Sequence, residues 1–375
     1  MARRGTILSV TLISVAAAIA VLLSSFFFNH RKDQLLESPL IRSAVPLAVL
    51  GDSDSHSYHD QILISEKTTK GLARRGGKFR PTTWQWTEIL AQLRGRYIDQ
   101  GDWGGWGTPV KIAETLDWVG WGGRAPRKQD YRFNFAVSAA NCQDLMSGYY
   151  RQAPRLLSLM DRDPGRWKNG IVSIRIGVNT IGQIEALDRF AKDGVTPSVR
   201  MEILRCVDWI RQAVDLIRHS HPQTRFVLVG ILDNVDWPPY FDRWIAVRER
   251  ENIASTLDLF DSAMRSIARG DPRIAFFDDR AWFRRTWGGR DADGKPAYKY
   301  VSLGGHAIVT NTAGDEPTNA VVADGHAGVV WNALWAQEYI ALLNSAFGLN
   351  IPPITNEEIV RFVDPGGRFR LGSTP

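Results

Sequence analysis

Ala44-Val45-Pro46-Leu47-Ala48-Val49-Leu50-Gly51-Asp52-Ser53 is an apolar run that ends abruptly in a glycine and two polar residues. The run is short, aliphatic and bounded by glycine, which is the pattern of a strand covered on both faces; a helix would need more length and a one-sided stripe. Gly51 allows a tight exit, and the polar residues beyond it need water or a ligand. Open parallel α/β sheets bind ligands beyond the carboxyl ends of their strands, so Ser53 stands where a nucleophile would stand. A plain turn explains Gly-Asp-Ser equally well at this point, because those residue types favour turns.

Outward from this stretch the chain alternates. Residues 131–137, 170–176, 225–232 and 274–277 have the composition of further strands, the second of these made mostly apolar by Ile171, Val172, Ile174 and Ile176. Between them lie helical patterns. Thr82 and Gln85 have capping-box spacing for a helix through Leu93. Ser198 is placed to cap a helix with Val199, Ile203, Val207, Ile210, Val214 and Ile217 on one face. A helix over 244–268 is closed by Gly270, residues 298–310 suggest a late hairpin, and a helix over 328–347 is stopped by Gly348. Strand and helix in alternation predict an α/β fold with a parallel sheet and one catalytic domain over 44–350, followed by a tail over 351–375.

The amino terminus differs in kind. Arg3 and Arg4 precede an uncharged apolar stretch from Thr6 to Phe28, long enough to span a bilayer at roughly 20 residues per helix. Its exit, Ser25-Phe26-Phe27-Phe28-Asn29, lacks the small-residue cleavage pattern. The expectation is an uncleaved transmembrane signal-anchor over 1–30, a linker over 31–43, and a periplasmic domain tethered to the inner membrane; secretion after cleavage is the alternative. Export makes a disulfide between Cys142 and Cys206 chemically feasible, but their spacing leaves the pairing open.

Across 375 residues, 44% hydrophobic and 23% charged content describes a folded chain, and a net charge of +6 favours an anionic partner. No compact Lys/Arg block with interleaved aromatics occurs, so nucleic acid is not expected. Neither a Gly-x-Ser-x-Gly elbow nor a phosphate loop is present, which argues against an α/β-hydrolase and an NTPase. No cofactor is implied. Cys and His pairs lack the matching second pair of a zinc site, and His56 with His59 fits a polar loop better than a metal site. Asp291-Ala292-Asp293-Gly294 lacks the closing Glu of a calcium loop and suggests a hairpin turn. His219 and His221 sit at a helix end, where the dipole favours a cation.

Residues 101–123 repeat a Trp-Gly theme with Trp103, Trp106, Trp118 and Trp121. So many glycines disfavour a regular element. The tryptophans either form a flap that stacks on sugar rings or pin the loop to the core.

Four expected strand ends now carry polar residues in order. They are Ser53, the turn Ser138-Ala139-Ala140-Asn141, Gly177-Val178-Asn179, and Asp324-Gly325-His326. A serine nucleophile needs a base, and the oxyanion that develops needs donors such as a backbone N–H and an Asn amide. These blocks resemble those of the SGNH hydrolases, also called the GDSL esterase/lipase family. The residues are Gly51-Asp52-Ser53, then Asn134-Phe135-Ala136-Val137-Ser138-Ala139, then Gly177-Val178-Asn179, and last Asp324 with His326. The resemblance spans about Val45 to Leu343 and implies a flavodoxin-like α/β/α sandwich. It further implies Ser53 as nucleophile, His326 as general base, Asp324 as its orienting acid, and an oxyanion hole from Asn179 with backbone N–H groups at Ser53, Ala139 and Gly177.

Two departures stand out. Ala139 replaces the family's usual glycine, and only Gly325 separates Asp324 from His326 where two residues are usual. The second departure leaves Asp315 as a rival for the orienting acid. The expected activity is hydrolysis of an acyl ester, such as an acetyl ester, of a carbohydrate or lipid through an acyl-enzyme. An O-acyltransferase on cell-surface polysaccharide and a glycan-binding protein without turnover are the alternatives; the oligomeric state is not assigned.

Overall fold

The computed structural model describes residues 44–64, 77–118, 123–291, 293–303 and 307–366. The expected membrane span and linker, residues 65–76, and Trp121 lie outside the described residues, among which no helix is long and apolar enough to cross a membrane.

Twelve strands are formed among the described residues: β1 Val45–Gly51, β2 Ile98–Asp99, β3 Trp103–Trp106, β4 Lys128–Tyr131, β5 Ile171–Arg175, β6 Arg225–Val229, β7 Ile274–Phe277, β8 Gly288–Arg290, β9 Pro296–Tyr298, β10 Tyr300–Leu303, β11 Ala307–Ala313 and β12 Asn319–Val321. The central sheet is wholly parallel, in the order β2-β1-β5-β6-β7. This is the strand order of a flavodoxin-like doubly wound sheet, whose ligand crevice opens where the order reverses, beside β1.

Alternation along the strands divides the core in two. Ala48, Leu50, Val172, Ile174, Phe226 and Leu228 point into one apolar cluster with the helices Ile184–Asp193, Pro197–Ser220 and Val247–Ala268. Leu47, Val49, Ile171, Val227 and Val229 point into the other, under the helices Trp86–Arg94, Asp279–Trp287 and Val329–Phe347. The period of two in the strands and the one-sided helix stripes therefore make three layers, helix on sheet on helix. In the second cluster Trp331 is surrounded by other indoles. It stacks on Trp287 with ring centroids 5.2 Å apart and planes 3° apart, and meets Trp237 and Trp282 edge-on at 5.0 and 5.1 Å.

Several expectations are corrected. The second sheet strand is the two-residue β2, too short to leave a periodic signal. Residues 133–137 instead lie along β1, with Val49 N–H donating to the Phe133 carbonyl at 3.0 Å and Phe135 N–H donating to the Val49 carbonyl at 2.7 Å. The glycine-rich stretch is partly regular: β3 pairs antiparallel with β4, and a helix covers Val110–Trp118. Gln85, not Thr82, caps the first helix, exchanging bonds with Glu88. Thr196 caps the long helix in place of Ser198, with Pro197 at the first helical position, where a missing N–H costs nothing. Residues 351–366 are not a loose tail. Ile351, Ile354 and Ile359 are buried, and Arg94 pairs with Glu358 on the helix Asn356–Val363 at 2.7 Å.

Cys142 and Cys206 form a disulfide between the 3-10 helix Cys142–Leu145 and the helix Pro197–Ser220. Asp291 and Gly294 lie between β8 and β9, with Gly294 N–H donating to the Asp291 carbonyl at 3.0 Å.

Candidate active site

Gly51 closes β1 against β5. A Cβ there would meet the Arg175 carbonyl oxygen at 2.3 Å, so only glycine fits. Gln152 takes both backbone groups of Gly51, accepting from its N–H and donating to its carbonyl, each at 2.8 Å. The chain then coils, with Ser55 and His56 N–H both donating to the Asp52 carbonyl, and Ser53 sits nearly buried at the head of this turn. Its carbonyl accepts from Gln85 Nε2 at 3.1 Å. The Asp52 carboxyl accepts from Asp54 N–H at 3.0 Å. Burial, helped by the Asp54 charge, pushes it up to about 8, against the pull of Arg175 and of the Asp54 and Gly177 N–H groups. Arg175 reaches over from β5, donating to the Asp54 carbonyl and to Asp279, each at 3.1 Å.

The second and third blocks meet. Asn179 Nδ2 donates to the Ala140 carbonyl at 3.0 Å, and its Oδ1 accepts from Gln183 at 3.1 Å. The Ala140 carbonyl can only accept, which fixes which way the amide faces, and because an amide nitrogen carries two protons, one N–H remains after Ala140 is served. Ala139 adopts φ +66°, a conformation an L-residue holds only when its surroundings impose it. Its N–H has no hydrogen-bond partner among the described residues. Gly177, at φ +136°, turns its N–H toward the Asp52 carboxyl.

The fourth block is a tight turn between β12 and the helix Val329–Phe347. Gly325 N–H donates to the Val322 carbonyl at 2.9 Å, and Val322 N–H donates to the His326 carbonyl at 2.8 Å. Gly325 at φ +88° folds the Asp324 carboxylate back, so that Oδ1 meets the His326 N–H at 3.0 Å and the His326 Nδ1 at 3.1 Å. A single intervening glycine thus suffices for the pair. Asp315 braces the same turn by accepting from Ala323 N–H at 3.2 Å. Trp237 Nε1 donates to the Gly325 carbonyl at 3.0 Å, and Tyr58 OH donates to the Ala327 carbonyl at 2.6 Å. The last bond joins the segment just after Ser53 to the residue just after His326.

Trp103 is partly exposed, its ring edge-on to Tyr131 at 5.1 Å, while Trp106 lies under Arg132. Trp118 is 87% exposed at the end of its helix. His56 and His59 do not share a ligand: His56 bonds Ser138 and Asp60, and His59 bonds Glu88 at 2.8 Å. No group of three or more metal-binding side chains forms among the described residues. His221 pairs with Asp161 at 2.9 Å. Sequence reasoning missed Gln152, Arg175, Tyr58 and Trp237, because single polar residues scattered along the chain leave no spacing to detect.

No family model matches the sequence, and no curated protein matches it. Among solved structures the chain is similar to an extracellular lipase from Streptomyces rimosus, at 16% identity and a TM-score of 0.38 over 81% of this chain and 100% of the other. It is similar to a phospholipase A1 from Streptomyces albidoflavus at 14% identity and a TM-score of 0.36, over 81% and 99% of the two chains. A lipase from a goat rumen metagenome gives 10% identity and a TM-score of 0.33, over 68% and 90%.

Proposed function

We propose that this protein is a serine ester hydrolase of the SGNH type working through an acyl-enzyme on Ser53. The observation that carries this reading is the Tyr58–Ala327 bond, which gathers the serine turn and the Asp324–His326 turn at one edge of the sheet although 273 positions separate Ser53 from His326. His326 donates Nδ1–H to Asp324, which leaves the Nε2 lone pair as the base. Ser53 Oγ attacks the ester carbonyl carbon and passes its proton to Nε2. The carbonyl oxygen becomes an oxyanion, received by the Ala139 N–H and the remaining Asn179 amide proton. Collapse expels the alcohol, which takes the proton from Nε2, and water then repeats the sequence to free the acid. The Cys142–Cys206 disulfide supports an oxidising, extracytoplasmic setting.

The test is direct. A fluorophosphonate should label the purified protein at Ser53, and p-nitrophenyl acetate should be turned over by the parent but not by Ser53→Ala. A Ser53→Ala variant that keeps a tenth of the parent rate overturns the assignment.

A further inference from the structure

Beneath the serine turn lies a second histidine, buried, with a hydrogen-bond partner on each ring nitrogen. His56 and Asp60 have no solvent exposure, and Ser138 is nearly as deep. Ser138 N–H donates to His56 Nδ1 at 3.1 Å, with Ser138 Oγ on the same nitrogen at 2.8 Å. A backbone N–H cannot face another donor, so Nδ1 carries the lone pair and the proton is on Nε2, which donates to Asp60 Oδ2 at 2.8 Å. Asp60 is in turn held by its other oxygen, which accepts from the N–H groups of Ile62, Leu63 and Gln129. Burial pushes the Asp60 carboxyl up, but His56 and the N–H groups of Gln129 and Leu63 outweigh burial and hold it below its usual range.

His56 is three residues from Ser53, and Ser138 immediately precedes Ala139, whose φ of +66° needs an outside constraint. We propose that the His56–Asp60 pair is a positioning unit that fixes the Ala139 N–H relative to Ser53, using the tautomer of one buried imidazole as the link. The inference rests on the reading of Ser53 and Ala139 above. In this reading His56 acts through Ser138, referencing the oxyanion donor to the nucleophile's own turn.

The geometry supplies an unusual handle. Because Asp60 Oδ1 already serves three N–H groups, Asp60→Asn must keep its carbonyl oxygen there and present its NH2 to His56. That drives the imidazole proton to Nδ1, where it opposes the Ser138 N–H and pushes the turn out of place. His56→Asn, by contrast, keeps an amide oxygen near the Nδ1 position and needs nothing from residue 60. Asp60→Asn should therefore lower kcat on p-nitrophenyl acetate by about tenfold or more, the scale of a misplacement of about an ångström, with KM within about twofold. His56→Asn should stay within about threefold of the parent, and the double variant should match His56→Asn alone.

Two spectra read the same claim without turnover. In 15N NMR, Asp60→Asn should move the protonated nitrogen of His56 from Nε2 to Nδ1 and shift the Ala139 amide; His56→Asn should leave that amide in place. An unshifted Ala139 amide in Asp60→Asn overturns the proposal, as does a double variant as slow as Asp60→Asn, or an Asp60→Asn enzyme with parental kcat. If the parent is not labelled at Ser53 by a fluorophosphonate, the ester hydrolase reading falls, and the spectra alone decide whether the imidazole tautomer sets the Ala139 turn. Should Asp60→Asn fail to fold, His56→Gln, whose longer amide reaches Asp60 and abandons the Ser138 N–H, carries the same comparison with His56→Asn.

Discussion

Asp324 and Asp315 both contact the turn that presents His326, but only Asp324 reaches the ring. If the carboxylate holds Nδ1–H, Asp324→Asn offers an amide proton to that nitrogen and favours the wrong tautomer. Its kcat should fall by up to about 10⁴. Asp315→Asn should cost less than about tenfold, an effect of repositioning within the site. Side-by-side kcat values on p-nitrophenyl acetate check this, and a larger loss for Asp315→Asn would hand it the role. At this scale the candidate site was legible wherever a residue stands in a short polar block at a strand end, as Ser53, Asn179 and the Asp324–His326 pair do. The supports were not. Gln152 sits 101 residues from the Gly51 it holds, and Tyr58 269 residues from Ala327; only the fold brings them together, and local spacing carries no trace of it.

Among the elements, the 3-10 helix Cys142–Leu145 follows directly on the Ala139 turn and is stapled to the helix Pro197–Ser220 by the disulfide. The two cysteines are 64 positions apart, and closing a loop of that length stabilises a chain by about 4 kcal/mol in the loop-entropy account. The double substitution Cys142→Ser with Cys206→Ser should lose stability on that order in urea titrations. Its kcat should fall as well, because the Asn179–Ala140 contact loses its neighbouring staple. A double variant with parental midpoint and parental kcat would show that packing alone holds this turn. The strands β1, β5, β6 and β7 were legible in the sequence because each is an apolar run bounded by polar residues. β2 has two residues and no such run, and the β3–β4 hairpin hides in a glycine-rich stretch whose composition argues against strands while cross-strand bonding overrides it. Helix starts were displaced for a further reason: several capping residues lay within two or three positions, and the choice between them depends on tertiary contacts.

For the molecule as a whole, burial raises several carboxyls. Asp52 is pushed to about 8, Asp261 to about 7 and Asp236 to about 6, against an ordinary 3.8. Burial dominates in each; the Asp54 and Asp233 charges add to it at Asp52 and Asp236 respectively. The unfolded chain ionises them near its ordinary value, whereas the folded one keeps their protons to higher pH, so folding binds protons between those limits and stability falls as pH rises through them. Asp60 and Glu88 are held below their ordinary values, and their contribution disappears only in acid. Thermal stability should therefore peak at about pH 4 and drop toward pH 8 by an amount on the order of a few kcal/mol. Asp52→Asn should flatten that slope, and a calorimetric Tm that rises steadily from pH 5 to 8 would contradict the account.

The ring of indoles around Trp331 gives the molecule an optical signature of its own. Chromophores held about 5 Å apart at fixed and partly perpendicular angles no longer absorb independently; their excited states mix, and circular dichroism records the mixing as a paired positive and negative band. Trp331 is on the helix Val329–Phe347, Trp282 and Trp287 are on Asp279–Trp287, and Trp237 belongs to the loop that bonds Gly325 beside the candidate base. That couplet, abolished by Trp331→Phe, would report from inside one wall of the protein whether the segment carrying His326 is docked, without a label and without a substrate.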